Sequence, residues 1–310
     1  MTEIQERLRK IQEKLNFTQT ELANMFGVSF PAFNAWFLGK TLPRPKALNK
    51  IDNLYNKYTG KGEVSSIELE KVYDGISDLS QQFQDPLNLV LQRKDLYEHF
   101  CVRSTYHSDA IEGSTLTERE TAMVIFENTN LKNKTLVEQI EAKNHNAAIQ
   151  YMFDFLVSKK DLDERYIKRL HEILMNGIID NAGNYRNHSV RIAGTNVVTA
   201  NYLKVPELIG VLINEIKEAE KLNNRDYIKK SSEIHARFEK VHPFSDGNGR
   251  VGRLLLNTML LAHKISPAII ESEKKILYYT YLEQAQEHSN YSHLELFIAE
   301  AIIVGYQNLK

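Results

Sequence analysis

Hydrophobic residues recur every three or four positions along most of this chain, which is the spacing of amphipathic helices. The first apolar stripe runs from Ile4 to Leu15, and another leads through Phe238 into an apolar run that ends at Leu261. Further helical stripes occupy 67–83, 94–111, 133–158, 163–176 and 206–222. A two-residue alternation is confined to the region around Val190, with a return strand predicted over 196–202. The pattern predicts an all-α fold with one small β-hairpin.

Residues 1–58 contain signals for two short helices joined by a tight turn. Thr18 and Glu21 form a capping-box pattern, Gly27 suits the turn that follows, and Ser29 suits the cap of the next helix. Two helices around such a turn are the helix-turn-helix pattern. The stretch resembles repressor-type helix-turn-helix domains at Gln19, Leu22, Ala23, Gly27, Val28, Trp36, Gly39 and Pro43.

This resemblance implies that a helix over about 29–37 enters the major groove of double-stranded DNA. Base edges would face Ser29, Phe30 and Asn34, and phosphates would face Lys40, Arg44 and Lys46. Residues 1–60 carry nine Lys and Arg against five Asp and Glu, a surplus of four positive charges. The predicted recognition helix has no Lys or Arg. A helix-turn-helix that contacts protein is therefore the alternative interpretation.

The stretch 59–66 contains two glycines and two serines and predicts a linker. The 310 residues are enough for two domains. We therefore expect a helix-turn-helix domain over 1–58 and a second, larger region over 67–310.

Residues 242–253 combine the groups that an oligophosphate site needs. Gly247 and Gly249 allow backbone N–H groups to approach a ligand, and those groups open a new helix, whose N-terminus attracts phosphate. Asn248 adds an amide donor. Arg250 and Arg253 are three residues apart, so they share one helix face and can both reach the same ligand.

Two further side chains in this stretch suggest a reaction rather than binding alone. Asp246 is a hard oxygen ligand suited to Mg²⁺ that bridges phosphates. His242 has an intrinsic pKa near neutrality and could take a proton from a hydroxyl nucleophile. The combination predicts phosphoryl or nucleotidyl transfer.

The stretch resembles the signature of the Fic family, His-x-Phe-x-(Asp/Glu)-Gly-Asn-Gly-Arg-x-x-Arg. The matching residues are His242, Phe244, Asp246, Gly247, Asn248, Gly249, Arg250 and Arg253. The resemblance implies an all-helical enzyme, with its core over about 133–263, that transfers AMP from ATP to a Ser, Thr or Tyr hydroxyl of a target protein. It implies that Asn248 and Arg250 bind the α- and β-phosphates, Arg253 the γ-phosphate, and Phe244 anchors the loop. The kinase-like branch alters Gly-Asn-Gly and lacks the second arginine, so this chain favours nucleotidyl transfer.

The helix predicted over about 94–113 ends in a pattern that resembles the family's inhibitory helix, (Ser/Thr)-x-x-x-Glu-(Gly/Asn). Ser108, Glu112 and Gly113 match it. A glutamate against Arg253 would occupy the guanidinium that should hold the γ-phosphate. The resemblance therefore implies inhibition from within the same chain.

The hairpin around Val190 and Ile192 resembles the family's flap, and the preceding Gly183, Tyr185 and Arg186 fit its Gly-x-Tyr-Arg-like segment. An exposed strand edge can pair with a target segment and hold its hydroxyl near the base. An ordinary surface hairpin is the alternative.

The stretch that begins with Tyr278 and Tyr279 resembles a family segment that borders the nucleotide. The resemblance implies that these tyrosines and Asn257 line the adenine ring, and core packing explains the three residues equally well. His171-Glu172 suggests a zincin helix, but Met175 stands where the second histidine is required, so that interpretation fails. His171 is expected to be structural.

Composition narrows the class of protein only modestly. The chain is 42% hydrophobic and 25% charged, with net charge −1, as in soluble globular proteins. One cysteine excludes an internal disulfide and a cysteine-based zinc site. Residues 1–20 lack an apolar signal core, and no apolar run approaches the ~20 residues of a membrane span. These features predict a cytoplasmic protein without a membrane partner, and a homodimer is compatible with the helix-turn-helix pattern.

We therefore expect a Mg²⁺- and ATP-dependent protein adenylyltransferase that Glu112 restrains. Two alternatives remain open at this point. Glu112 could position water to remove AMP from a modified protein, alone or alongside transfer. The chain could also be a DNA-binding regulator whose nucleotide site is a sensor.

Overall fold

The computed structural model describes residues 2–192, 195 and 197–310, and these form an all-helical protein. Its first helices are α1 (Glu3–Leu15), α2 (Gln19–Phe26), α3 (Phe30–Phe37), α4 (Pro45–Thr59), α5 (Ser66–Gln82), α6 (Pro86–Gln92), α7 (Lys94–Glu112) and α8 (Glu118–Phe126). They are followed by α9 (Leu136–Val157), α10 (Glu164–Leu174), α11 (Val205–Ala219), α12 (Asn224–Val241), α13 (Asn248–Ala262), α14 (Lys275–His288) and α15 (Ser292–Gln307). Short 3₁₀ turns over Tyr202–Lys204 and Ser272–Lys274 precede α11 and α14.

Local capping explains where several helices begin and end. The hydroxyl of Thr18 accepts the backbone N–H of Glu21, whose carboxylate accepts the N–H of Thr18, as the sequence predicts. Gly27 ends α2 with φ of 70°. Ser29 is the N-cap residue of α3, as the sequence predicts, although its side chain makes no capping hydrogen bond. A β-like φ of −68° and ψ of 151° at Ser29 still start the helix.

The helices pack around two main hydrophobic cores. Helices α1 to α4 enclose the smaller core, in which Leu8, Ile11 and Phe33 are fully buried. Helices from α5 onward enclose the larger one. The two units touch just beyond α14. The side-chain amide of Asn290, between α14 and α15, donates to the carbonyl oxygens of Gly60 and Gly62, which follow α4, at 3.3 and 3.1 Å.

The predicted hairpin around Val190 is the main difference from the expected secondary structure. Among the described residues of 188–201 no strand forms, and Tyr202, at the end of the expected return strand, belongs to a 3₁₀ turn. The Thr199 hydroxyl donates across this loop to the Val190 carbonyl oxygen at 2.8 Å. An isolated two-stranded hairpin is only marginally stable, because it lacks a third strand or a packed helix. Ala193, Gly194 and Asn196 lie outside the described residues.

Residues 242–253 form a tight loop and the start of a helix. Helix α12 ends at Val241, a tight loop covers 242–247, and α13 begins at Asn248. The C-terminal end of α7 lies against the start of α13. In the described part of the chain, no helix combines the length and apolar character needed to cross a bilayer.

Candidate active site

The loop between α12 and α13 is closed by the side chain of Asn248. Its oxygen accepts the backbone N–H of Phe244 at 2.8 Å, and its NH₂ group donates to the Phe244 carbonyl oxygen at 2.9 Å. Gly247 completes the turn with φ of 75°, where a residue with a Cβ would be strained and would meet Met175. The amide predicted as a phosphate donor is thus used to shape the loop.

His171 supports the same loop from α10. Its Nδ1 accepts the backbone N–H of Gly183 at 2.8 Å, so its Nε2 carries the proton that is donated to the Asp246 carbonyl oxygen at 3.0 Å. The imidazole stacks on the Phe244 ring with centroids 3.7 Å apart. Burial lowers the pKa of His171 to about 4, which keeps the ring neutral. His171 is therefore structural, as expected, and Phe244 anchors the loop through it.

The start of α13 presents a cradle for an anion. The N–H groups of Asn248, Gly249 and Arg250 have no partner within the helix, because they precede its first hydrogen-bonded turn. A Cβ built on Gly249 would lie 2.5 Å from Oε1 of Glu112 and 3.0 Å from Nη1 of Arg253. A carboxylate therefore lies close to the helix N-terminus, where the helix dipole favours a negative charge.

Arg253 is held by the end of α7. Its Nη2 donates to Oε1 of Glu112 at 2.7 Å and to the carbonyl oxygen of Ser108 at 3.0 Å, and its Nε donates to the Ser108 hydroxyl at 3.0 Å. Burial would raise the pKa of Glu112, but attraction to Arg253 and the hydrogen bond from it outweigh burial, and the pKa is lowered. Helix α7 ends directly afterwards at Gly113, with φ of 113°. The ion pair is thus built at the last turn of a helix.

Arg250 also has a carboxylate partner. Its Nη1 donates to Oε1 of Glu141 on α9 at 2.8 Å, and the Arg250 side chain is 3% exposed. Among the described residues, Nε of Arg250 and Nη1 of Arg253 are buried donors without a partner. Both arginines therefore retain an unused donor beside the cradle.

His242 is oriented by its own helix. It lies in the left-handed region with φ of 49°, and its backbone N–H donates to the Phe238 carbonyl oxygen at 3.0 Å. Its Nδ1 lies 3.1 Å from the Glu239 carbonyl oxygen. A carbonyl oxygen only accepts, so Nδ1 carries the proton and Nε2 keeps its lone pair. Burial lowers the pKa of His242 below its ordinary 6.5, which favours the neutral base.

Asp246 is the exposed carboxylate of the loop. Its Oδ1 accepts the backbone N–H of Gly247 at 2.6 Å, which turns the side chain toward the helix N-terminus. No cluster of three His, Cys, Asp or Glu residues with metal-binding geometry occurs within the described ranges. One carboxylate suits Mg²⁺, which commonly takes its remaining ligands from water and substrate phosphates.

Two buried carboxyl groups lie near the arginines without competing strongly for them. Burial raises the pKa of Asp109 to about 7 and that of Glu239 to about 8. Neither oxygen of Asp109, nor Oε1 of Glu239, has a hydrogen-bond partner in the described part of the protein. Both groups are mainly protonated below neutral pH, so Glu112 and Glu141 are the carboxylates that pair with Arg253 and Arg250.

The residues predicted to line the adenine have structural contacts of their own. The Asn257 side-chain oxygen accepts the backbone N–H of Ala268 at 2.8 Å, and the Tyr278 hydroxyl lies 2.7 Å from Nε2 of His235. Tyr279 is half-buried on the same helix, near Glu112. Their contact with a nucleotide remains a prediction.

The predicted DNA contacts lie together in the first unit. Ser29 precedes α3, Asn34 is half-buried on it, and Lys40 and Arg44 are exposed in the loop before α4. The exposed surface of α3 also includes Phe30, which is 45% exposed.

Sequence reasoning missed Glu141 as a site residue. It lies more than 100 positions from Arg250 in the chain, inside an ordinary helical pattern, and no local motif marks it. Only the packing of α9 against α13 brings the two together.

Two protein-family models match separate parts of this sequence. A helix-turn-helix family model matches residues 7–60, and the Fic/DOC family model matches residues 161–260. The protein adenylyltransferase Fic of Aedes aegypti is 28% identical over 227 residues, covering 71% of this chain and 42% of that protein. That of Drosophila erecta is 29% identical over 208 residues, covering 64% of this chain and 40% of that protein. The chain thus spans about two fifths of the length of these relatives.

Solved structures share the fold. Fic-1 from C. elegans, solved as a fragment, superposes with a TM-score of 0.68 at 21% identity, over 97% of this chain and 86% of the fragment. A Fic-domain signalling protein from Bacteroides thetaiotaomicron gives 0.66 at 22% identity, over 78% and 97% respectively. A helix-turn-helix domain over residues 7–60 is thus joined to a Fic domain over residues 161–260, in a chain that has the fold of solved Fic proteins.

Proposed function

We propose that this protein transfers AMP from ATP to a hydroxyl side chain of a target protein and that Glu112 restrains the reaction. One observation carries the proposal: the Glu112 carboxylate lies over the N-terminus of α13 and pairs with Arg253 at 2.7 Å. A helix N-terminus and an arginine that already hold one anion are suited to hold another. The adenylyltransferase relatives named above support the choice of reaction.

The transfer needs a base, and His242 supplies one. Its Nε2 accepts the proton of the target hydroxyl, and the hydroxyl oxygen attacks the α-phosphorus. The bond from the α-phosphorus to the oxygen bridging to the β-phosphate breaks, and pyrophosphate leaves. Backbone N–H groups at the start of α13 and the unused Nε of Arg250 would stabilise the charge that develops on the phosphoryl oxygens. Arg253 would hold the terminal phosphate.

Restraint follows from competition for Arg253. While Glu112 occupies Nη2 of Arg253, a terminal phosphate cannot take the same donor, and its own negative charge is repelled by the carboxylate. ATP would then bind with its terminal phosphate displaced and its α-phosphorus badly placed for attack from the side of His242. Activity would rise when Glu112 leaves the cradle.

A divalent cation fits the loop through Asp246. Mg²⁺ would neutralise phosphate charge when bound, as it does in other phosphoryl-transfer sites. Asp246 orients one oxygen toward the backbone of Gly247 and leaves the other for the cation.

The proposed reaction is tested by the position of the label in ATP. The Glu112→Gly variant is incubated with Mg²⁺ and a cell extract, with ATP labelled on either the α- or the γ-phosphate. AMP transfer incorporates the α-label into protein and leaves the γ-label in pyrophosphate. Chelation of Mg²⁺ by EDTA is expected to remove the signal, and excess Mg²⁺ to restore it. Incorporation of the γ-label alone would identify a phosphoryl transferase and refute the proposal.

DNA binding by the first domain is a second proposed function, supported by the helix-turn-helix match and by exposed Lys40 and Arg44. We expect Lys40→Ala/Arg44→Ala to weaken binding to duplex DNA and to flatten its salt dependence, because each phosphate contact contributes a slope of about −0.9 in log K against log salt. Electrophoretic or fluorescence titration at several salt concentrations measures both. Lys10→Ala, on the outer face of α1, is the matched control. An unchanged slope in the double variant would favour a domain that contacts protein.

A further inference from the structure

The Arg186 guanidinium joins the two ends of the loop 188–200 to the C-terminus of α12. Its Nε donates to the His242 carbonyl oxygen at 2.7 Å, and its Nη1 donates to that of His188 at 2.8 Å. Its Nη2 donates to the carbonyl oxygens of Ala200 at 2.5 Å and Val241 at 3.2 Å. Arg186 is 2% exposed. All four acceptors are backbone groups, and burial without a paired carboxylate lowers the pKa of Arg186.

These contacts complete the hydrogen bonding at the end of α12. The last carbonyl groups of a helix have no partner within it, and a cation there is favourable. Here the Glu239 carbonyl faces Nδ1 of His242, the Lys240 carbonyl accepts the N–H of Ala200 at 3.3 Å, and the Val241 carbonyl accepts from Arg186. The backbone N–H of Arg186 also donates to the Pro243 carbonyl oxygen at 3.0 Å. Hydrogen bonds therefore hold the loop and the C-terminal end of α12 together as one structural unit.

The catalytic base proposed above lies inside this unit. His242 has a left-handed backbone that a residue with a Cβ adopts only at some cost, so the surrounding contacts must hold it there. The Arg186 guanidinium donates a hydrogen bond to the His242 carbonyl oxygen. The same guanidinium also donates to the carbonyl oxygens of His188 and Ala200, at the two ends of the loop.

We propose that Arg186 is the positioning residue of the transfer reaction: it sets the backbone of His242 and ties both ends of the loop 188–200 to it. The base would then keep a fixed position relative to a target segment that docks beside His188 and Ala200. The inference rests on the proposed function for the identity of the base. None of the contacts of Arg186 involves the cradle at 247–253, so it is expected to act on the hydroxyl and the base rather than on ATP.

The charge of Arg186 has a second effect on the same base. Burial is the main cause of the lowered pKa of His242, and the nearby Arg186 cation lowers it further. The Glu239 carbonyl, Glu112 and Asp246 oppose this by favouring the imidazolium. Removal of the Arg186 charge is therefore expected to raise the pKa of His242, whereas a lysine at this position keeps the charge and loses the planar fork.

The test compares Arg186→Met and Arg186→Lys in the Glu112→Gly background, with exposed Arg165→Met as the control; Arg165 has a side-chain exposure of 93%. Protein labelled with isotopic histidine is titrated by NMR, and the His242 resonance is assigned by its loss in His242→Ala. We expect the pKa of His242 to rise in Arg186→Met and to stay near its original value in Arg186→Lys. We expect kcat for AMP transfer to fall about tenfold or more in both variants, with KM for ATP unchanged.

The proposal is overturned if the pKa of His242 is the same in both variants and in the parent, or if kcat is retained in Arg186→Lys. A fall in ATP affinity that accounts for the lost activity would also overturn it. If Arg186→Met does not fold, as circular dichroism would reveal, the kcat and KM of Arg186→Lys decide. The NMR titration needs no turnover, so absence of AMP transfer in every variant would refute the proposed function while leaving the effect of Arg186 on His242 measurable.

Discussion

Replacement of Glu112 with glycine is expected to raise the incorporation of α-labelled AMP into protein by about ten- to a hundredfold. The variant removes the carboxylate that pairs with Arg253 at 2.7 Å and leaves the cradle above Gly249 open. A charge-assisted hydrogen bond contributes about 1.5–3 kcal/mol, and about 1.4 kcal/mol corresponds to a factor of ten. The measurement is labelled protein per unit time at a fixed concentration of ATP and Mg²⁺.

Two controls separate the charge of Glu112 from a general loosening of α7. Glu112→Gln keeps the size of the side chain and removes its charge, so it should activate the enzyme partly. Glu98→Gly weakens the same helix by about 1 kcal/mol without touching Arg253 and should leave the activity unchanged. Equal activation by Glu98→Gly would show that helix stability, rather than competition for Arg253, sets the resting rate.

Replacement of His242 with alanine is expected to lower transfer in the Glu112→Gly background by about a thousandfold, since a general base contributes roughly 10²–10⁴. ATP affinity should change little, because the cradle is formed by the N-terminal part of α13, which includes Arg253. Single-turnover transfer and equilibrium binding of ATP measure the two effects separately. Loss of ATP binding in His242→Ala would assign His242 to the architecture of the site rather than to proton transfer.

The pH dependence of the Glu112→Gly variant follows from the neutral state of His242. Its lowered pKa means that the imidazole is already a free base at neutral pH. Transfer should therefore be flat through neutrality and fall as the pH drops below the ordinary histidine value of about 6.5. A rise in the transfer rate above pH 7 that disappears in His242→Ala would contradict this assignment. The profile is measured as kcat over KM for the target hydroxyl.

Acid also disrupts the ion pair between Glu112 and Arg253, but loss of this pair would release the restraint on transfer. Because the pKa of Glu112 is lowered in the folded state, the pair is fully present above the ordinary glutamate value and is lost as the pH falls through the lowered pKa. Restraint of the wild-type protein should thus persist across the neutral range, and acid should not activate it before the His242 base is protonated.

Much of the fold follows from local patterns in the chain. The apolar periodicity predicts the helices, and the Thr18 capping box and Gly27 appear as expected. Local signals can also compete with one another. Thr115 and Thr117 each precede a glutamate by three residues, and Thr117 with Glu120 forms the capping box of α8. The Thr115 hydroxyl and backbone N–H donate to Glu138, 23 positions further on.

The candidate site is likewise predicted in part by local sequence and decided in part by the folded structure. Eight matching positions between His242 and Arg253 lie within one loop and the start of one helix, so the sequence alone places the glycines, the arginines and His242 close to one another. The pairing of Glu112 with Arg253, 141 positions apart, is implied by the resemblance of Ser108–Gly113 to the family's inhibitory helix rather than by the local pattern. The sequence does not reveal that Asn248 uses its amide to close the loop on Phe244, because an asparagine looks the same in a sequence whether its amide is free or hydrogen-bonded.

Long-range packing decides the rest. The partner of Arg250 is Glu141, and the ligands of Arg186 are carbonyl groups on both sides of a loop and at a helix end. Backbone carbonyls carry no side-chain signature, and a glutamate on a regular helix is indistinguishable from a solvated one until α9 packs against α13. Sequence therefore determined which chemical groups the site contains and how adjacent ones are arranged. Tertiary structure alone decided which charges are buried together, because burial and pairing depend on segments that are distant in the chain.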